Sequence, residues 1–166
     1  MEIKKVLDEK DGNFLFGISQ KNAVLKKDNT CINIRLLEGE FPDYKKVIPK
    51  DNNKTVLADK ETLLASLKRV SILSSEKIKG VKFTFNTSKL TLSSSSPDIG
   101  EAIEEEEIDY NGDLIEISFN ARYLIDMLES TDEEKIRIDL KDSLSPGIVK
   151  SAKTDDYVYI IMPMRL

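Results

Sequence analysis

"DKETLLASLKRVSIL" occupies residues 59–73, and the spacing of its apolar residues decides how the rest of the chain is read. Leu63, Leu64, Leu67 and Val70 fall on one face of a helix, and Asp59 stands where an N-cap belongs. The pattern returns in "NARYLIDMLEST", residues 120–131, with Tyr123, Leu124, Met127 and Leu128 as the stripe and Asn120 as the cap. A shorter version, Ile3, Val6 and Leu7, lies in "MEIKKVLDE". The three share a register. Ile3, Leu64 and Ile125 are 61 residues apart, as are Val6, Leu67 and Leu128, and the caps Asp59 and Asn120 keep the same interval.

The segments after each helical pattern also match. "NFLFGI", "NAVLKK" and "CINIRLL" follow the first, "GVKFTF", "KLTLSS" and "EEEEIDY" the second, and "KIRIDL", "GIVKSA" and "YVYIIM" the third. Strict alternation predicts that Val81, Phe83 and Phe85 point inward with Lys82 and Thr84 outward. Ile136, Ile138 and Leu140 then point inward, with Arg137 and Asp139 outward. "DGN", "KDNT", "NTSK" and "SPG" supply turns. "KTVLAD" and "LIEISF" read as strands leading into the second and third helices, and the Ser93–Ser96 run as a strand end and loop. The fold class is therefore α+β: a helix on a small antiparallel sheet, repeated, with paired units sharing one core. Units two and three form a domain over residues 53–166. Unit one, over residues 1–52 with its linker, is an orphan, and the chain reads as the C-terminal part of something longer.

Composition narrows the function. The 166 residues are 33% charged and 40% hydrophobic, an ordinary globular balance. No run approaches the roughly 20 apolar residues of a membrane helix. The N-terminus lacks a secretory h-region, and Cys31 is the single cysteine, which fits a cytoplasmic home. There is no His, so the commonest general base and many metal sites are missing, and neither cofactor nor metal is expected. A net charge of −5 argues against a broad basic face while allowing a local one. Lys4, Lys5, Lys68 and Arg69 lie off the apolar stripes, and Arg122 begins the third helix.

The linker "LLEGEFPDYKKVIPKDNNK", residues 36–54, is broken by Pro42 and Pro49. Its first part, together with "SFNARYLIDML" and the closing "YIIMPMRL", resembles the bacterial DNA polymerase III beta subunit family, the sliding clamps. The resemblance runs along essentially the whole chain. It implies the second half of a clamp middle domain over residues 1–52 and a whole last domain over 53–166. It also implies a non-enzymatic processivity factor whose full ring encircles duplex DNA. Polymerase, clamp loader and repair proteins would dock on it through short linear motifs.

Carried onto matching positions, the resemblance places a partner-peptide pocket at Pro42, Lys46 and Val47 of the linker. From the last domain it adds Tyr123, Leu144, Pro146, Ile160, Met162, Pro163, Met164 and Arg165. Lys46 stands where the family often has Arg, with the loss of a bidentate donor. Lys50, Lys68, Arg69 and Asn120 would face DNA phosphates. Ile72, Leu73, Glu101 and Glu104 would meet another protomer of the ring, and an uncovered unit one predicts self-association. Read by itself, "YVYIIM" is a buried strand with Tyr157, Tyr159 and Ile161 in the core, ended by Pro163, and two methionines beyond it suit an adaptable surface.

Two other readings are open. The cluster Glu101, Glu104, Glu105, Glu106 and Glu107 raises a small hydrolase, although alternation along a strand points to a solvated edge. A truncated clamp could also act as a partner-binding or inhibitory module without encircling DNA.

Overall fold

The computed structural model describes residues 3, 7, 13–39, 43–74, 79–97, 99–154 and 156–165. Its backbone gathers into two compact units, Met1–Asp43 and Tyr44–Leu166.

In the first unit, β1 (Leu15–Ile18), β2 (Asn22–Lys27) and β3 (Thr30–Arg35) form an antiparallel meander in the order β1-β2-β3. Alternation along β2 buries Ala23, Leu25 and Lys27, whereas every residue of β1 is exposed. Asp28 turns the β2–β3 hairpin at φ 50°, a left-handed position that Asp tolerates better than most residues. Ile3 and Leu7 are helical; Lys4, Lys5 and Val6 lie outside the described residues.

The second unit begins with a 3-10 turn at Tyr44–Lys46 and runs β4 (Lys54–Asp59), α1 (Lys60–Ser71), β5 (Gly80–Asn86), β6 (Lys89–Ser96), β7 (Gly100–Glu107), β8 (Ile115–Asn120), α2 (Ala121–Glu129), β9 (Lys135–Leu140), β10 (Gly147–Ser151) and β11 (Tyr159–Ile161). Asn52 Nδ2 ties the connector to this unit, donating to the Asp139 and Pro146 carbonyls at 2.8 and 3.0 Å.

The strands leading into the helices are exchanged between the two copies. The sheets are β7-β6-β5-β8 and β11-β10-β9-β4, so β8, which feeds α2, pairs with β5, and β4, which feeds α1, pairs with β9. The registers match: Asn120 lies opposite Gly80 and Asp59 opposite Lys135. Two equivalent hydrogen bonds seal the exchange. Lys60 N–H donates to the Glu134 carbonyl and Ala121 N–H to the Lys79 carbonyl, both at 2.9 Å. Two bridges then join the sheets, Leu57 with Asp109 and Ser118 with Met164. Their anchor residues, Leu57 and Ser118, keep the 61-residue interval of the caps. Neither copy can close its own sheet, which explains why the two share one core.

Both caps form. Asp59 accepts from Thr62 N–H, and Asn120 from Arg122 N–H. Glu61 in the first turn of α1 and Lys68 and Arg69 in its last complement the helix dipole. Leu63, Leu67 and Val70 of α1 and Leu124, Met127 and Leu128 of α2 enter a core with Val81, Phe83, Phe85, Phe119, Ile136, Ile138 and Leu140. Phe83 and Phe119 meet edge to face at 5.4 Å, joining β5 to β8.

Several expectations are corrected. Ser93–Ser96 is strand throughout, and Ser94 is buried with its hydroxyl donating to the Val70 carbonyl at 2.6 Å. Asp139 is buried on the outward face of β9, accepting from Thr55 and Arg137 at 2.7 and 2.8 Å. Tyr157 and Tyr159 are not core: β11 is a three-residue edge strand in which only Ile161 is buried. An edge strand is shielded on one side alone, so its large rings reach the surface. Met164 does not hang beyond the sheets but pairs with β8 of the other one.

Candidate peptide-binding groove

The apolar stripe of α2 is wider than the core can absorb. Leu124, Met127 and Leu128 are buried, while Tyr123, predicted as part of the same stripe, is 66% exposed. Beside it run β11 and the C-terminal tail, antiparallel to the helix. Tyr159 sits near the helix C-terminus, where its hydroxyl lies 2.9 Å from Ser130 Oγ. Met164 sits near the helix N-terminus, where its N–H donates to the Ser118 carbonyl at 2.7 Å. Pro163 has no N–H and allows the strand to break between these two anchors.

Between helix and tail lies a groove of about 480 Å³. Tyr123, Leu124 and Met127 line its helix side, Val149 its floor, and Tyr159 through Met164 its other side, with Asn120 at the helix start. Close packing below holds it in place. Gly147 is opposite Ile161, and a Cβ on it would lie 3.1 Å from Leu140 Cδ2 and 3.3 Å from Ile161 Cγ2 and Phe119 Cζ. A second groove of about 370 Å³ is lined by Lys46, Val47, Pro49, Lys50, Asn52, Lys141, Pro146 and Met162 among others. Met162, 64% exposed, belongs to both and joins them.

Of the pocket residues expected from sequence, Tyr123, Ile160, Met162, Pro163 and Met164 line the first groove, and Lys46, Val47 and Pro146 the second. Leu144 is exposed in the adjoining loop, whose Leu144 and Ser145 N–H groups donate to Asp142 Oδ1 at 2.9 and 2.7 Å. These bonds hold the Asp142 carboxyl below its ordinary value. Arg165 is exposed just past Met164, and Pro42 lies outside the described residues. Sequence reasoning missed Leu124, Met127, Val149, Tyr159 and Ile161 as groove residues. The signal was present in the Tyr123–Met127 spacing, which puts both on one helical face.

Two of the cations expected to face DNA, Lys68 and Arg69, have partners of their own. Lys68 Nζ pairs with Glu129 Oε1 at 2.5 Å, linking α1 to α2. Arg69 makes a two-pronged contact to Glu104, Nε and Nη2 donating at 2.8 and 2.9 Å, linking α1 to β7. That contact lowers the Glu104 pKa and raises that of Arg69. Lys50 lines the second groove, and Asn120 caps α2 and lines the first. Of the expected interface residues, Ile72 is exposed and Leu73 half-buried just past α1, Glu101 is exposed and Glu104 half-buried on β7, an edge strand.

The acidic run is not uniformly solvated, as the sequence suggested. Glu105 pairs with Lys89 at 2.6 Å, but Glu106 is 7% exposed, and burial is the main cause of its raised pKa. Counting five residues back from each bridging residue, Asp109 and Met164, places Glu104 on β7 where β11 has Tyr159. Glu106 likewise matches Ile161, and on the helices Ser66 and Arg69 match Met127 and Ser130. The helix–edge cleft is thus polar and ion-paired in one copy and apolar and open in the other. Among the described residues, no group of three or more His, Cys, Asp or Glu side chains could hold a metal ion.

Comparison with known proteins fits this geometry. The family profile for the C-terminal domain of the DNA polymerase III beta subunit matches residues 45–165. The beta sliding clamp of Pseudomonas aeruginosa is 35% identical over all 166 residues of this chain, which correspond to 45% of that protein. A crystal structure of the Pseudomonas aeruginosa DNA polymerase III subunit beta superposes with a TM-score of 0.84, covering 99% of this chain and 46% of that one. A crystal structure of the same organism's clamp bound to griselimycin superposes at 0.81, with 35% identity, 99% coverage of this chain and 45% of that one. The chain spans a little under half the length of these relatives. With the profile covering most of its residues and the exchanged helix-and-sheet copies superposing closely, this chain belongs to the DNA polymerase III beta subunit family.

Proposed function

We propose that the chain is the partner-docking end of a sliding clamp, a non-enzymatic processivity factor. In the full ring it would encircle duplex DNA and tether polymerase, clamp loader and repair proteins in the cytoplasm. One observation carries the reading: an apolar groove between α2 and the C-terminal tail, continuous at Met162 with a second groove bearing Lys46 and Lys50. A short extended peptide fits such a pair of hollows. Its aliphatic and aromatic side chains fill the first, and the lysines meet its polar atoms at the rim of the second. Methionines on both sides, Met127 on the helix and Met162 and Met164 on the tail, let the walls adapt to several sequences.

DNA contact would be electrostatic and blind to sequence, as a sliding ring requires. Lys50, Lys68, Arg69 and Asn120 are its candidates, with Lys68 and Arg69 exchanging their glutamate partners for phosphates. Ile72, Leu73, Glu101 and Glu104 would touch a neighbouring protomer at the β7 edge, and the exposed β1 suits self-association. The groove lies wholly within the second unit, so partner binding without encirclement, as an interaction or inhibitory module, is the second reading. No helix among the described residues is long and apolar enough to cross a membrane.

The test is a fluorescence-polarisation titration of a labelled peptide, Ser-Leu-Ser-Leu-Phe, against the chain and its Tyr123→Ala and Met162→Ala variants. Each variant should bind about tenfold more weakly, the usual scale for a contact side chain that a ligand covers on binding. Equal affinities in all three would overturn the groove as the docking site.

A further inference from the structure

We infer that Tyr159 is the end wall of the apolar groove and sets the size of the anchor side chain it accepts. The inference rests on the peptide-docking reading above. It starts from the antiparallel run of the tail along α2. Met164 closes the groove near the helix N-terminus through Ser118, and Tyr159 closes it near the helix C-terminus through Ser130. Ser130 Oγ also donates to the Met127 carbonyl at 2.7 Å, so the hydroxyl that holds Tyr159 is itself fixed at the helix end.

The ring is braced from behind as well. Tyr157 meets Tyr159 edge to face, centroids 5.4 Å apart, and the Tyr157 hydroxyl lies 2.9 Å from Thr131 Oγ1. Two rings, each tethered to one residue of the Ser130–Thr131 pair, form a small rigid block. A surface tyrosine with no such tethers would swing out of the way of a ligand; this one resists displacement. The repeat supports the assignment. At the matching place in the other copy, Arg69 and Glu104 close the helix–edge cleft with an ion pair. Here a ring closes only the end and leaves the apolar length open.

Tyr159 is therefore a specificity-determining residue. An anchor as long as Leu or Phe ends against the ring edge, where an aromatic partner gains an additional edge contact. A wider or longer anchor collides with the braced pair. Substituting Tyr159 by Ala opens the end. Substituting it by Phe keeps the ring and loosens its tether, and Ser130→Ala cuts the same tether from the other side.

The experiment uses the full chain and labelled peptides Ser-Leu-Ser-Leu-X, with X being Leu, Phe or 2-naphthylalanine, titrated by fluorescence polarisation. The unaltered chain should prefer Phe over 2-naphthylalanine. Tyr159→Ala should invert that order, weakening Phe about threefold to tenfold, as expected for one lost ring–ring contact. Tyr159→Phe and Ser130→Ala should both flatten the preference, and to the same degree. Melting curves of all variants accompany the titrations, since a role in folding would weaken the three peptides in parallel. Parallel weakening, or an unchanged order in Tyr159→Ala, overturns the inference and leaves the docking site standing. Failure of every peptide to bind the unaltered chain overturns the docking site, and this inference with it.

Discussion

Met164 and Ser118 are joined by a hydrogen bond of 2.7 Å from the Met164 N–H to the Ser118 carbonyl. It pins the end of the chain across the second sheet, in the place that Asp109 occupies against Leu57 in the other copy. The tail is therefore a structural strap as well as a groove wall. Anything that lifts β11 should loosen both.

Gly147→Val tests that coupling. Its Cβ would press on Leu140, Ile161 and Phe119 at 3.1 to 3.3 Å, none of which can retreat from the core. The expected cost is about 1–3 kcal/mol in denaturant unfolding, the scale of overpacking. Peptide affinity should fall with it, because Ile161 and its neighbours are displaced toward the groove.

Removing either cap should cost about 1 kcal/mol of stability. For Asp59→Ala the loss depends on pH. Its carboxyl is held below the ordinary value chiefly by the Thr62 N–H and hydroxyl. A depressed carboxylate contributes stability above its unfolded pKa and loses it as pH falls through the folded one. The variant should therefore differ from the parent at neutral pH and approach it in acid. Asn120→Ala should show no such pH dependence.

Glu106 predicts the opposite sign. Burial raises its pKa, so the folded state holds its proton more tightly than the unfolded chain, and stability declines as pH rises from the ordinary glutamate range through the raised value. The hydrogen bond from Ser66 and the charge of Arg69 oppose the shift without cancelling it. Glu106→Gln should flatten that decline in thermal melts across acid to neutral pH. The matching residue in the other copy is Ile161, which shows that the position accepts an uncharged side chain.

Glu104→Gln should release Arg69 from its two-pronged contact. If Arg69 faces phosphates, association with duplex DNA at low salt should tighten. The slope of log K against log salt should steepen by about one, for one added phosphate contact. An unchanged slope would remove Arg69 from the DNA-facing set.

The 3.6-residue stripes, the two caps and the alternation of β5 and β9 were legible because each is a local pattern that a common core imposes on every copy. The exchange of β4 and β8 was not, since a leading strand reads the same whichever partner it takes. Burial failed where topology overrides hydropathy. Tyr157 and Tyr159 are apolar enough for a core, yet they lie on or beside an edge strand, and Glu106 is charged yet lies under α1. The groove was half legible: residues carried over by resemblance found its tail side and Tyr123, while Leu124 and Met127 read only as the core stripe of the helix and Val149 only as part of a strand. The second groove was not legible, because it depends on Asn52 tying the connector to the Asp139 and Pro146 carbonyls, contacts distant in sequence that no local pattern announces.

The groove between α2 and the tail must receive a peptide if the chain docks partners there. Three of the chain's four methionines, Met127, Met162 and Met164, line it. Carbon-13 methyl labelling of methionine, followed by titration with Ser-Leu-Ser-Leu-Phe, reads that site directly. The Met127, Met162 and Met164 signals should shift together and saturate with one binding constant. Binding that leaves all three in place would contradict docking in this groove.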